Sequence, residues 1–561
     1  MILLLLQLAA AGWQSGAPDS LAVVKAARRA QELFEFTRRG NLPERRSGWN
    51  GVCEEPVGRL CYWYDGSVDS APPEPARIRQ ARTRLIAALD GAGTALPGDD
   101  WIIGQRVRYL LEDSQPQAAT LVAEQCRATP WWCAALHGLV RHVSGDFAAA
   151  DSSFAAALGA MPEEERCRWT NISSLLDGDL AGRYRHLDCG ARAALEERWW
   201  WLSQPLWSQP GNDRRTEHFA RHAMARLEEG RRTLFGLFWA DDLRDVLVRY
   251  GWPTFWTREP LDYLTVSAEP KVTGHDRSPA FHFAPRAHAL DHPESATADD
   301  WTLDPPRARE RYAPAYATSV HALDDQVSVF RRRDSCLVVA AYDLSADTAM
   351  AGQSARAALV LASNERDRVI IEQQSRLDRP DVLLATAPCG PMLLSLEVMA
   401  PASRHVARTR HGVLLDAHAT ISDLLLLDAG DSLPTDVALA IPSALASNRV
   451  RVDRPLGLFW EVYGLSSGGE EVTTSVTVAR HRSGWLRRAV EAVGLAGHRR
   501  DVSLQWTEVL IPRADEPDVA GRALALDLSS LSPGRYRIEV TVTANGRGPV
   551  TVRRDIELVR P

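Results

Sequence analysis

The sequence predicts a multidomain α + β protein, with an α-helical repeat array in its N-terminal half and two β-sandwich domains in its C-terminal half. Three observations predict it. Apolar residues recur at helical spacing over 19–38 and again from Pro75 to about residue 250. A proline-punctuated stretch with no period follows, and beyond residue 323 the apolar period becomes that of strands. The length of 561 residues fits three or four domains. The expected division is a signal peptide at 1–16, a helix and cysteine-bearing loop at 17–74 and a helical domain at 75–260. A Pro-rich linker at 261–322 and β-domains at 323–430 and 440–561 complete it.

The chain opens with the apolar run Met1-Ile2-Leu3-Leu4-Leu5-Leu6, followed by Gln7-Leu8-Ala9-Ala10-Ala11. The run is too short to span a bilayer, suits a signal h-region, and ends in the small residues a signal peptidase needs. No later stretch approaches the length of a membrane helix, so no membrane span is expected in the mature chain. Helix 19–38 follows, with Leu21, Val24, Ala27, Ala30, Leu33 and Phe34 on one stripe. The eight cysteines fall into neighbours: Cys53 with Cys61, Cys126 with Cys133, Cys167 with Cys189, and Cys336 with Cys389. Eight cysteines allow about 105 pairings; neighbours are the expected pairs because each shares one predicted domain. Disulfides imply an exported protein, periplasmic or extracellular. No Cys-x-x-Cys knuckle signals zinc.

Composition excludes some classes. With 45% hydrophobic and 24% charged residues the chain is not disordered, and a net charge of −7 makes no electrostatic case for nucleic acid. Lys25 and Lys271 are the only lysines among 65 basic residues; the arginines are scattered, so they form no anion-binding patch.

Within the helical stretch, Gly138, Gly145, Ala150, Phe154, Ala157 and Pro162 have the spacing of a tetratricopeptide repeat. Gly138 and Ala150 would let two helices approach, Phe154 would fill the groove between them, and Pro162 would end the second. Shifted by 32 residues, Ala118, Val122 and Pro130 echo Ala150, Phe154 and Pro162, and a third hairpin is expected around 77–95. Seven prolines from Pro270 to Pro314 then mark a linker or wrapping segment.

Val327–Phe330, Leu337–Val339, Ala358–Leu361 and Leu393–Val398 read as strands of the first β-domain, with Cys336 and Cys389 on or beside them. The second domain starts with Leu458–Tyr463 and closes with Tyr536, Ile538, Val540 and Val542 facing inward. Both domains are expected to be immunoglobulin- or fibronectin-like. Asn545-Gly546 is expected to turn a hairpin, and Trp485–Ala496 to form a short helix.

Several segments resemble the GWxTD-domain family of exported bacterial proteins, which has no established activity. They are Trp460-Glu461-Val462-Tyr463-Gly464-Leu465, Leu528–Tyr536, Ile421-Ser422-Asp423-Leu424 and Arg249-Tyr250-Gly251-Trp252-Pro253. The naming motif itself reads Phe238-Trp239-Ala240-Asp241-Asp242, without the glycine and threonine. The resemblance covers roughly 211–561; it implies export and a β-rich C-terminal part, and it supplies no catalytic residues.

Three patterns bear on chemistry. Gly464-Leu465-Ser466-Ser467-Gly468 satisfies G-x-S-x-G, but the strand Val472–Val478 follows where a nucleophile elbow needs a helix, so it reads as a hairpin loop. His218 and His222, four apart, would share a helix face and could both hold zinc, with Asp241, Asp242 or Asp245 as a third ligand. Glu217 precedes the first histidine and Phe219 follows it, which breaks the zincin order. Fourteen of eighteen tryptophans precede residue 260, and Trp131-Trp132 could line a ligand surface or fill gaps between helices. The expected function is a non-catalytic, cofactor-free interaction or scaffold protein that docks other exported proteins through a tetratricopeptide-like surface, with the sandwiches as rigid presenters. A metal-dependent hydrolase on His218 and His222 and an aromatic-lined carbohydrate or cell-envelope binder are the alternatives.

Overall fold

The computed structural model describes residues 20–45, 52–64, 71–176, 178–230, 232–260, 271–277, 279–430, 432–481, 502–544 and 546–560. The signal segment 1–16, the helix expected at Trp485–Ala496 and Asn545 lie outside them. The chain is mixed α + β with several sheets. Its helices are α1 (Ser20–Gly40), α2 (Ala76–Ala95), α3 (Asp100–Glu112), α4 (Pro116–Glu124), α5 (Pro130–Val143), α6 (Phe147–Ala160), α7 (Glu163–Thr170), α8 (Gly178–Arg185), α9 (Cys189–Ser203), α10 (Asp213–Glu228), α11 (Asp241–Tyr250), α12 (Ala287–Asp291) and α13 (Val437–Ala440). Four short strands lie in the first half: β1 (Glu55–Val57), β2 (Leu60–Tyr62), β3 (Phe255–Arg258) and β4 (Val272–His275). The longer series runs β5 (Ser319–Ala322), β6 (Asp325–Arg332), β7 (Ser335–Tyr342), β8 (Ser354–Ala362), β9 (Arg368–Arg376), β10 (Asp381–Pro388), β11 (Gly390–Ala400), β12 (His405–Leu415) and β13 (Leu425–Asp428). It ends with β14 (Arg449–Arg451), β15 (Leu456–Tyr463), β16 (Glu470–Arg480), β17 (Val502–Leu510), β18 (Val519–Leu526), β19 (Gly534–Ala544) and β20 (Val550–Val559).

Two compact units divide the chain, and the cut differs from the expected one. One unit comprises Met1–Asp177, Pro210–Ala280 and Arg309–Tyr312; the other comprises Gly178–Gln209, Phe281–Ala308 and Ala313–Pro561. The helical segment 178–209 therefore belongs with the strands, and the stretch taken as a linker is shared between units. Its Phe281, Phe283, Trp301 and Tyr312 are buried, which makes it core rather than tether.

In the first unit, sequential helices α1 to α6 pack each on the next. Caps set their starts: Asp99 accepts from Ile102 N, Asp146 from Ala149 N, and Asn212 from Arg215 N. On α1 the buried residues are Ala27, Gln31, Phe34 and Arg38, whereas Leu21 and Leu33 are exposed, so the expected stripe is rotated. The reason is a polar partner. Gln31 Nε2 donates to Gln105 Oε1 at 2.7 Å, and Arg38 lies 3.0 Å from Glu112. Deeper still, the fully buried Arg108 sits 2.7 Å from the equally buried Glu228 and 2.9 Å from Glu112.

The second unit holds two pairs of sheets. The sheet β10-β7-β6 and the sheet β5-β12-β11-β8-β9 share one apolar core, including Val338, Ala340, Leu359, Leu361, Leu394 and Leu396. The sheet β13-β15-β18 and the sheet β14-β20-β19-β16-β17 share another, including Leu458, Trp460, Val476, Ile538 and Val540. Tyr536, Ile538, Val540 and Val542 are buried, as the alternation on β19 requires. Gly464–Gly468 is not a hairpin loop: β15 and β16 lie in different sheets, so this turn carries the chain from one layer to the other. The segment after α9 is tied to β11 and β12. Buried Glu397 accepts from Trp207 N at 2.7 Å and Ser208 N at 3.0 Å, while the Arg410 guanidinium covers the Trp207 ring at 4.2 Å.

Cys53–Cys61, Cys126–Cys133 and Cys336–Cys389 are disulfides between neighbours in sequence. Cys167 and Cys189 are also disulfide-bonded, and none of the described cysteines is free. Such a bond set persists in oxidising surroundings and fits an exported protein. No described helix is long and apolar enough to cross a membrane.

Candidate functional site

The sequence candidates of the first unit converge on α10. Twelve of its sixteen residues are buried, so it is enclosed by neighbours and presents no broad face to solvent. It packs on α3, α5 and α6 on one side and on α11 on another. The motif residues build the surface that receives it. Gly138 lies on α5, and a Cβ there would stand 2.7 Å from the Phe154 ring, so only glycine admits that ring. Gly145 turns the chain between α5 and α6 at φ +81°, Ala150 and Ala157 are buried on α6, and Pro162 follows the helix end as the N-cap of α7. Phe154 in turn meets Phe219 of α10, with ring centroids 5.6 Å apart.

His218 and His222 are interior residues. His218 Nε2 lies 2.9 Å from the Trp169 carbonyl oxygen, and the His222 ring stacks on the Trp169 indole at 5.6 Å. Burial, helped by the neighbouring His222, pushes the His218 imidazole well below its usual range; burial, helped by Arg244 and Arg168, brings His222 down to about 3. Both rings are therefore neutral at ordinary pH. The three aspartates considered as a further ligand are engaged elsewhere: Asp241 with Arg244 at 2.8 Å, Asp242 with Arg59, and Asp245 with Arg249 at 3.4 Å. Among the described residues no group of three His, Cys, Asp or Glu side chains could hold a metal ion.

Trp131 and Trp132 are 8% and 1% exposed, which corrects their reading as a ligand surface. Trp132 Nε1 donates to the Asp100 carbonyl at 3.0 Å, Trp131 meets Trp169 edge-on at 6.1 Å, and the Arg226 guanidinium covers both rings. They fill the space between α5 and α10 as packing.

Sequence reasoning missed the polar surroundings of α10. His142 Nε2 lies 2.7 Å from Glu217, and Arg221 Nε donates to Glu217 at 2.6 Å. Burial works to raise the Glu217 carboxyl, but Arg221 and His142 outweigh it and hold it below the usual carboxylate range. Arg221 also donates to the carbonyls of Val248, Arg249 and Arg311 at 2.8–2.9 Å. The four-residue spacing of Glu217 and Arg221 was the legible signal; the other partners come from distant segments.

Two segments of the family-like half meet at the Cys53–Cys61 hairpin. Asp242 accepts from Arg59 N at 3.0 Å and from its guanidinium at 2.7 Å. From the Arg249–Pro253 turn, Arg249 donates to Glu55 at 3.0 Å, and the Tyr250 ring stacks on Tyr62 at 3.6 Å. Gly251 holds φ +97°, with the Arg221 guanidinium against the position of its missing Cβ. Beside this knot burial pushes the Asp276 carboxyl up to about 6, against the opposing pull of Arg221.

In the second unit Ser422, Asp423, Glu461 and Tyr463 from the other resembling segments lie at the seam between the two pairs of sheets, whereas Leu528 and Tyr536 are buried in the core of the last pair. Glu461 is fully buried and accepts both nitrogens of Arg332, at 2.7 and 3.0 Å, together with the Tyr463 hydroxyl at 3.0 Å. Arg331 N donates to that same hydroxyl at 2.9 Å. Ser422 Oγ accepts from Glu461 N at 2.9 Å, and Asp423 Oδ2 from Val329 N at 3.0 Å. Phe330, Leu425 and Phe459 add an apolar cluster at the same seam.

No protein-family model matches the sequence, and no curated protein is similar enough to match it. Among solved structures, a tetra-tandem repeat in the extending region of a large adhesion protein is 14% identical, with 42% of this chain and 49% of that chain covered and a TM-score of 0.14. Escherichia coli alpha-2-macroglobulin activated by porcine elastase is also 14% identical, with 42% and 22% covered and a TM-score of 0.15. The chain thus spans about half the length of the first and about a fifth of the second. At these scores neither bears on fold or function here.

Proposed function

We propose that this chain is an exported interaction scaffold, periplasmic or extracellular, that docks other exported proteins and performs no chemistry of its own. Its helical part is a tetratricopeptide-like array, its β-domains are immunoglobulin- or fibronectin-like sandwiches, and its C-terminal half is a divergent relative of the GWxTD-domain proteins. One observation carries the reading: the residues with chemical potential are spent on internal contacts. His218 is held by a backbone carbonyl, Glu217 by Arg221 and His142, and Glu461 by Arg332 and Tyr463. A repeat array recruits partners through the face its first helices line. Here α10 covers the face formed by α3 and α5, so partner docking falls to other surfaces, the β-domains above all.

The test places a photo-cross-linking residue at exposed Leu121, Leu414 or Val509 in turn, in intact cells. Saturable adducts from a β-domain position, Leu414 or Val509, are expected. Their absence at both, or stoichiometric zinc that is lost on His222→Ala, overturns the proposal.

A further inference from the structure

Helix α1 buries polar residues and shows apolar ones. Gln31 and Arg38 face inward to Gln105 and Glu112, while Leu21, Leu33 and Phe36 face solvent. Leu33 is 66% exposed and Phe36 79%, the highest value among the large hydrophobic residues described. One exposed apolar side chain is ordinary, but several on one helix face mark contact with an apolar phase. A fourth joins them. Arg39, one turn beyond Phe36, packs against Gly236, and this brings Phe238, 71% exposed, to the same end of α1.

Cations stand among these residues. Side chains four apart share one side of a helix, so Leu21, Lys25, Arg29 and Leu33 form a single outward ridge, with Phe36 beside its last member. At 1.5 Å per residue the ridge is about 18 Å long. It is apolar at both ends and basic between. Lys25 and Arg29 are exposed and have no partner among the described residues; the same holds for Arg77 and Arg84 on α2, which packs against α1. Arg28 lies over the Trp101 ring at 5.0 Å, and the one acid among the exposed residues of α1 is Glu32. Together α1 and α2 carry nine basic and three acidic side chains in a chain of net charge −7, so this helix pair is positive where the remainder is negative.

We infer that the outward ridge of α1 is a docking surface for an anionic lipid bilayer. Leu33, Phe36 and Phe238 enter the boundary between headgroups and acyl chains, while Lys25 and Arg29 reach lipid phosphates on their flexible stems. The order of residues favours lipid over an acidic protein. A bilayer offers phosphates and apolar chains side by side along its whole surface, whereas a protein would have to match both in one fixed register. Repulsion from the negative remainder of the chain is screened beyond about 8 Å at physiological salt, so the local charge decides. This contact goes beyond protein docking and uses a surface which that reading leaves unassigned.

Co-sedimentation of the full, oxidised chain with vesicles tests this. One set holds equal parts of phosphatidylglycerol and phosphatidylcholine, the other phosphatidylcholine alone. Binding to the anionic set is expected, roughly tenfold or more above the neutral set and weakened by added salt. Lys25→Gln with Arg29→Gln is expected to weaken it about thirtyfold, since each cation near an anionic surface is worth about fivefold. Phe36→Ser is expected to cost roughly tenfold or more, and Leu121→Ser, on α4, nothing. All four positions face solvent, so these variants report on binding and not on folding. A photo-cross-linking residue in place of Phe36 is expected to label lipid in intact cells. Four results overturn the inference: no binding at about 1 mM lipid, equal binding to both vesicle sets, indifference to the Lys25 and Arg29 changes or to Phe36→Ser, and an adduct at position 36 with protein alone.

Discussion

Glu461→Gln removes one charge from the seam of the second unit and leaves every heavy atom in place. The parent carboxylate is fully buried and receives two hydrogen bonds from Arg332 and one from Tyr463. Glutamine keeps one acceptor for Arg332, but its amide nitrogen faces donors that have no other direction to turn. The Tyr463 hydroxyl already accepts from Arg331 N, and Arg513 lies 3.6 Å from the same carboxylate. A hydrogen bond to a charged group is worth about 1.5–3 kcal/mol. Stranding one member of a buried ion pair costs about 3–5 kcal/mol. The expected loss is therefore about 3–5 kcal/mol, read in differential scanning calorimetry as a fall of roughly 5–10 °C in the transition of the β-rich unit. Arg332→Met in the same chain should restore part of it, since the stranded guanidinium is then gone. A cost below about 1 kcal/mol, or strict additivity of the two changes, would refute the view that this pair locks the sheets together.

Three further outcomes follow from the same structure. Gly138→Ala drives a methyl into the Phe154 ring and should cost about 1–3 kcal/mol in urea unfolding of the helical unit, as overpacked cores do; a neutral variant would show that α5 and α6 can part. Replacing Cys336 and Cys389 by alanine opens a loop with a sequence separation of 53, a loss of about 4 kcal/mol by loop-closure entropy, measured as a lowered midpoint without reductant. Burial raises the Asp276 carboxyl to about 6 in the fold, above the ordinary aspartate value of 3.8, so between these values the folded chain holds a proton that the unfolded chain has released. That contribution is complete below about pH 4 and is lost as pH rises through about 6. Subtracting the stability curve of Asp276→Asn, which keeps a neutral side chain, from that of the parent should leave a difference that falls over this window; a flat difference would place Asp276 in water.

Much of this fold was legible because it rests on apolar period and turn chemistry. The strands from Val327 to Val398 and the alternation from Tyr536 to Val542 follow from side chains that point in turn to core and solvent. The register of α1 was not legible, because the face it buries is polar: Gln31 and Arg38 are inside only because Gln105 and Glu112, 74 residues away, receive them. The same limit applies to the stretch from Phe281 to Tyr312. Seven prolines in the surrounding sequence marked an absence of regular structure, yet aromatic residues among them are core, and a proline count carries no information about burial. At the candidate site, the helical spacing of His218, His222 and Arg221 was readable. What surrounds the helix was not, since Trp169, Val248 and Arg311 arrive from three separate segments. The segments that carried the resemblance gave no chemistry in sequence; in the structure Arg249 and Tyr250, and Asp423, Glu461 and Tyr463, serve as joints, while Leu528 and Tyr536 are core.

Amide hydrogen exchange along α10 addresses the central claim, that the helical array is closed on its own chain. With twelve buried residues and partners on both sides, α10 is expected to exchange as slowly as α5, only when the whole unit unfolds. If α10 instead exchanged orders of magnitude faster than α5 while the array kept its protection, that face would be open to partners and the scaffold described here would be wrong.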